Sequence, residues 1–150
     1  MTELNVVKRL KEIQRRMTEL SKKQVVVGAI DGSSRDGMTN ADLLAIHEFG
    51  SKRNNIPERP VLRTTLANNV NGIEKALSKK VADCLKGDLS VDEAYSHVGI
   101  FVKNEVLNTF DKNSFEPNKQ KTVDRKKSSK PLIDTGTLRA SINYEVRNRE

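Results

Sequence analysis

The chain has 150 residues, 35% hydrophobic and 4% aromatic, with no Trp, one Cys and a formal net charge of +7. That length suits a single domain, 1–150, with a modest aliphatic core. The composition excludes an intrachain disulfide, and no apolar run approaches the roughly 20 residues of a membrane-spanning helix.

The positive excess is local. Residues 1–23 carry seven Lys/Arg against three acids and residues 111–130 carry seven against three, whereas 24–110 run ten against eleven and 131–150 balance at three each. Leu4, Val7, Leu10, Ile13, Met17 and Leu20 recur every three or four residues. That spacing predicts a long amphipathic helix whose narrow apolar stripe packs on a sheet or on a neighbouring subunit. Gln24–Ile30 is rich in β-branched residues and ends at Asp31-Gly32, which reads as a buried strand and a turn. Residues 31–38 are turn-formers. Thr39 with Asp42 makes a capping box for a helix over 40–49, with Ala41, Leu44, Ala45 and Phe49 along one side.

Gly50 then closes that helix with a positive φ. Ile56-Pro57-Glu58-Arg59-Pro60-Val61-Leu62-Arg63 begins extended, because two prolines restrict the residues before them and remove two donors. Pro60 suits the first position of the next helix. The result is a stiff elbow carrying Lys52, Arg53, Arg59 and Arg63 against Glu58. A helix from Val61 to about Leu85 follows, with Leu62, Leu66, Val70, Ile73, Leu77 and Val81 at helical spacing, and Gly87 ends it. Cys84, within it, reads as a small buried hydrophobe in a protein of a reducing compartment. Ser90 and Glu93 cap a further helix through Phe110, whose apolar positions include Val91, Ala94, Val98, Phe101, Val102 and Val106.

Residues 111–130 are polar, basic and almost free of core residues, which points to function or to order gained with a partner. Pro117-Asn118 is a candidate start for a short helix through Lys126. Asp134 is a candidate N-cap for a helical turn through Ala140. Ile142–Arg147 alternates apolar and polar as a half-buried strand does, and is the natural partner of 24–30. The fold class is therefore α+β: a small antiparallel sheet packed by several helices, with a long N-terminal amphipathic helix.

Catalytic patterns fail on inspection. Gly28 to Gly32 lacks the spacing and lysine of a phosphate loop. His47-Glu48 has no second His four residues on, so the zinc-helix signature is missing. Leu132-Ile133-Asp134-Thr135-Gly136 is similar to the active-site string of aspartic proteases. Those enzymes are almost wholly strands and carry much sheet after the aspartate, whereas most of this chain reads helical and about sixteen residues follow Asp134. Neither an enzyme nor a bound cofactor or metal is expected.

Two strings taken together carry a resemblance. Ala45-Ile46-His47-Glu48-Phe49-Gly50 with Ile56–Arg63, and Pro131-Leu132-Ile133-Asp134-Thr135-Gly136-Thr137-Leu138-Arg139-Ala140-Ser141-Ile142, resemble the two hallmarks of bacteriophage tail-completion (neck, or virion-morphogenesis) proteins. Thr122-Val123-Asp124-Arg125-Lys126 is similar to the family's approach to the second. The match spans about residues 39–147 in order, with Val61 where the family often has an aromatic. The resemblance implies a non-enzymatic virion protein at the neck or tail, made in the host cytoplasm. It implies a self-associated ring, with six subunits expected, that meets the tail tube and the neck or connector proteins and encircles packaged DNA. On that reading Glu48, Phe49, Pro57, Arg59, Pro60, Arg63, Asp134, Leu138 and Arg139 are candidate subunit or partner contacts, and Lys119, Lys121, Arg125, Lys126 and Lys127 candidates to face the DNA channel. The competing reading is a freestanding basic nucleic-acid-binding protein, supported by composition but without an aromatic-interleaved patch or a recognition helix.

Overall fold

The structure, a computed structural model, describes residues 2–30, 32, 37–112, 115 and 136–150. In chain order these form α1 (Glu3–Lys22), β1 (Lys23–Ala29), α2 (Asn40–Phe49), α3 (Val61–Lys86), α4 (Val91–Lys112), a short α5 (Thr137–Ala140) and β2 (Ile142–Asn148). The two strands pair antiparallel in the register Lys23↔Asn148 through Ala29↔Ile142, bringing the two ends of the chain together. This is the α+β arrangement read from the pattern, long N-terminal helix included.

α4 is the centre of it. It packs along α3 on one side and under both strands on the other. Its buried residues, Val91, Ala94, Val98, Gly99, Val102, Val106 and Phe110, follow helical spacing. Val98, Val102, Val106 and Phe110 join Leu44, Val61, Leu138 and Ile142 in the main core, while Leu20, Cys84, Val91 and Ala94 form a second cluster at the far end of the α3–α4 hairpin. Gly87 makes that hairpin turn. It sits at φ 102° and its N–H bonds the carbonyls of Asp83 and Cys84, closing the last turn of α3 in the left-handed conformation that glycine adopts without strain.

One helix buries a different face from the expected one, and two leave part of their apolar stripe at the surface. In α2 the buried residues are Asn40, Leu44, His47 and Glu48, whereas Ala41, Ala45 and Phe49 face out. In α3 the buried residues are Val61, Thr65 and Cys84; of the apolar stripe, Leu62, Ile73 and Val81 are half-buried against the two core clusters, whereas Leu66 is 52% exposed and Val70 50%. Small residues let α3 lie close on α4. Thr65 satisfies its hydroxyl with the Val61 carbonyl at 2.7 Å and with Thr109 at 2.7 Å. In α1 only Leu20 is buried, and residues 2–11 are wholly on the surface. The helix is held by its C-terminal half. Arg16 donates to the carbonyls of Cys84 and Leu89 at 2.7 and 3.1 Å, and the Tyr95 hydroxyl donates to the Leu20 carbonyl at 2.9 Å.

Both expected capping boxes are present. The Thr39 hydroxyl accepts from the Asp42 N–H at 3.0 Å while the Asp42 carboxylate accepts back, and Ser90 and Glu93 do the same. These bonds favour the ionised acids. The Thr39 hydroxyl and then its N–H hold Asp42 below its ordinary value; the Ser90 N–H and then its hydroxyl do so for Glu93. On α1, hydrogen bonds from Arg15 and Arg16 lower Glu12 to about 2. A carboxylate depressed in the folded state contributes stability that is complete above its unfolded pKa and is lost as pH falls through the folded one. For Glu12 that window runs from 4.5 down to about 2. Urea titrations are expected to give a flat stability from about pH 7 to pH 5 and a decline below it. A stability that rises on acidification through that window would show the three acids unpaired.

Candidate functional site

The elbow between α2 and α3 is built around one buried carboxylate. The last turn of α2 points Glu48 at the start of α3, where the first N–H groups have no partners in their own helix. Glu48 Oε2 accepts from the N–H of Leu62 at 2.9 Å, and Oε1 from the N–H of Arg63 at 2.9 Å and its Nε at 3.2 Å. The Glu48 side chain is 5% exposed. It is thus an N-terminal cap supplied from fourteen residues upstream, placed where the helix dipole also favours a negative charge.

Arg63 wraps the outside of this cap. Its Nη2 donates to the Glu48 carbonyl and, at 3.1 Å, to Glu58, and its guanidinium lies 5.3 Å from the centre of the Phe49 ring. The two carboxylates raise the Arg63 pKa, Glu58 contributing most. Ser51 and Ile56 exchange backbone hydrogen bonds at 2.9 Å in each direction, closing the intervening residues into a small bridged turn with Asn55 at φ 53°. Gly50 has to be glycine here. At φ 68° a Cβ would come within 2.9 Å of the Ile56 carbonyl oxygen and 3.1 Å of the Glu58 nitrogen, both backbone atoms.

The elbow is therefore more folded than the extended segment expected from its prolines. Pro60 also sits one residue earlier than expected. It is the N-cap of α3 at φ −77° and ψ 79°, and the Val61 N–H bonds back to the Arg59 carbonyl at 2.9 Å. That is the geometry of an inverse γ-turn, so the chain enters α3 from a tight turn and Glu48 satisfies the next two donors.

The candidate contact residues divide accordingly. Glu48 and Arg59 are buried within the subunit, and the Arg59 N–H bonds the His47 carbonyl at 2.6 Å. Leu138 is 5% exposed and belongs to the main core, because α5 packs its one large apolar side chain against α2. These three stabilise the subunit's interior. Arg139 forms a two-pronged pair with Asp111 at the end of α4, at 2.9 and 2.8 Å. Phe49, 68% exposed, with Arg63, half-buried Pro57 and half-buried Pro60, is what the elbow leaves at the surface. The N-cap of α5 is Gly136, at φ 78° and with no side-chain cap, in place of the Asp134 cap expected. Asp134 lies outside the described residues, as do Lys119, Lys121, Arg125, Lys126, Lys127 and the candidate helix over 117–126. Asp111 and Lys112 finish α4.

One juxtaposition was not legible in either string alone. Leu44 from α2, Val61 from the head of α3 and Leu138 from α5 meet in a single core cluster. Val61 and Ile142 with Leu138, far apart in the chain, thus share one packed core with Leu44. Among the described residues no three His, Cys, Asp or Glu side chains are grouped to hold a metal ion, and no helix is long and apolar enough to cross a membrane. No family model, curated protein or solved structure matches the chain.

Proposed function

We propose that this chain is a structural virion protein that completes a bacteriophage tail and joins it to the head, as a ring around the DNA channel. The observation that carries the reading is the meeting of Leu44, Val61 and Leu138. Val61 of the first string and Leu138 of the second, strings that resemble separate hallmarks of one family, share that core, and Glu48 caps the elbow of the first. A part that must hold its shape while neighbours dock on it gains from such a cap, since the elbow's path is then set by the subunit's own core. Apolar stripes facing outward on α1 and α3 fit a protein that is buried further on assembly. In a ring, the seven net positive charges per subunit would act together on DNA phosphates in the channel, the basic segment with Lys119, Lys121, Arg125, Lys126 and Lys127 foremost.

Imaging of virions purified from the parent phage, labelled with an antibody to this chain, tests the proposal. Label is expected at the junction of head and tail, and a strain lacking the protein is expected to yield filled heads and separate tails. Virions without the chain, together with salt-dependent retention of the purified protein on DNA, would replace this reading with a freestanding nucleic-acid-binding one.

A further inference from the structure

We infer that the exposed stripe of α1 from one copy of this chain seats in a groove between β1 and α3 of the next copy, a head-to-tail contact. The inference deepens the ring part of the proposed function by naming the surfaces that would form it.

Exposed apolar side chains are concentrated in two places. Among the described residues, twelve large hydrophobic side chains are exposed, of which five (Leu4, Val6, Val7, Leu10 and Met17) lie on α1 and three (Leu66, Val70 and Leu77) on one face of α3. The α3 face forms one wall of a groove of about 460 Å³. Leu66, Ile73 and Leu77 stand on one side, Val25 and Val27 of β1 on the other, and Val102 with its neighbours on α4 makes the floor. No residue of α1 lines it.

The helix cannot fill its own groove. α1 ends at Lys22 and β1 begins at Lys23, with no linker to let the helix swing back, while Arg16 and Tyr95 pin its C-terminal half to the far end of the α3–α4 hairpin. Its first two and a half turns therefore project with their stripe uncovered. The dimensions of stripe and groove agree. At 1.5 Å per residue Leu4 to Met17 spans about 20 Å, and Leu62 to Leu77 on the groove wall spans about 22 Å. The stripe on one copy is as long as the trough on the next.

The area sets the character of the contact. A helix about 10 Å across, laid along about 20 Å of groove, covers on the order of 200 Å² on each partner. A stable pair buries about 800 Å² on each side. One such contact alone is weak, but every subunit has both a helix to give and a groove to receive, so each makes two. Because the two surfaces differ, the contact propagates from copy to copy and gives a ring where its rotation closes, as the proposed function requires. Association is therefore expected to be steep in concentration, with a closed species favoured over free dimers.

The test uses the full chain and two pairs of substitutions. Leu10→Glu on α1 and Leu66→Glu on α3 both fall at exposed positions, so the subunit is expected to stay folded, as its circular dichroism and melting curve will report. Each is expected to raise the concentration for association, measured by light scattering, at least about a hundredfold, because a charge would enter an apolar contact. Leu10→Cys and Leu66→Cys then fix the direction. An oxidised mixture of these two proteins is expected to give a cross-linked pair containing one of each, whereas Leu10→Cys alone stays uncross-linked. Cross-linking of Leu10→Cys to itself would overturn the inference in favour of helix-to-helix pairing. A loss of association in Leu66→Glu but not in Leu10→Glu would overturn it in favour of another occupant of the groove, and a wild-type chain that never associates would end it outright. Virion imaging is independent: a chain found at the neck whose association ignores Leu10→Glu retains the proposed function and loses this contact, and the converse result does the reverse.

Discussion

Replacing Glu48 with Ala is expected to lower unfolding free energy by about 2–4 kcal/mol, a large share of the roughly 5–15 kcal/mol that holds a domain of this size. Glu48 accepts three hydrogen bonds at 3.2 Å or less from a side chain that is 5% exposed, two of them from backbone N–H groups at the start of α3. Bonds to a charged acceptor contribute more than neutral ones, and the Ala variant would leave those N–H groups in a site from which water is largely excluded. At about 2–4 °C per kcal/mol for a domain of this length, the melting temperature is expected to fall by about 5–15 °C. Glu58→Ala is the control. Glu58 binds the same Arg63 at 3.1 Å, but its side chain is 59% exposed, so its removal is expected to change stability by less than about 0.5 kcal/mol. Urea unfolding of the two variants side by side gives the answer. Equal midpoints would mean that Glu48 is a surface ion pair in solution and that the elbow is held by other bonds.

The contrast between these two acids shows where the sequence is readable. Periodicity, caps and breakers act over a few residues, and at that range the chain was legible: both capping boxes, the glycine stop at Gly87 and the pairing of residues 24–30 with the C-terminal strand are all in the structure. Glu48 and Glu58 look alike by the same rules. Only the fold brings one of them to the mouth of a helix that starts thirteen residues later. The apolar stripes are legible only in part. A stripe at helical spacing says that a face is to be covered and leaves open by what. On α4 the covering is the subunit's own sheet and α3. On α1 Leu4, Val7, Leu10 and Met17 of the stripe are exposed, and on α3 Leu66, Val70 and Leu77 are exposed while Leu62, Ile73 and Val81 of the same stripe pack against the cores. Burial divides the candidate contacts in the same way: Glu48, Arg59 and Leu138 lie within the subunit, while Phe49 and Arg63 are exposed.

Gly99 is the second position where a single atom is expected to matter. Glycine in a helix interior costs about 1 kcal/mol relative to alanine, and α4 carries one at its midpoint between Val98 and Ile100. The reason lies in the sheet. A Cβ on Gly99 would come within 2.4 Å of Tyr144 Cδ2, 2.7 Å of its Cγ and 3.0 Å of a Val25 methyl group, so β1 and β2 rest on the bare helix backbone at this point. The base of an aromatic ring in a paired strand has little room to move. Gly99→Ala is therefore expected to destabilise by about 1–3 kcal/mol despite the gain in helix propensity. Gly72 on α3 supplies the opposite case. Its Cβ would meet only the Phe101 ring, Cζ at 3.4 Å and Cε1 at 3.8 Å, an ordinary contact, so Gly72→Ala is expected to stabilise by about 0.4–1 kcal/mol. Thermal melts of the two variants should move in opposite directions. Adding Tyr144→Ala separates the cause, since the penalty of Gly99→Ala is expected to shrink by about 1–2 kcal/mol once the ring is gone. A penalty that persists unchanged would place the strain in α4 itself and not in the seat of the sheet. The same variant reaches the groove, because Val25 is both the third atom in contact with Gly99 and part of the wall facing Leu66. Lifting β1 off α4 moves that wall, so a folded Gly99→Ala chain is expected to associate less well than the wild type at equal concentration.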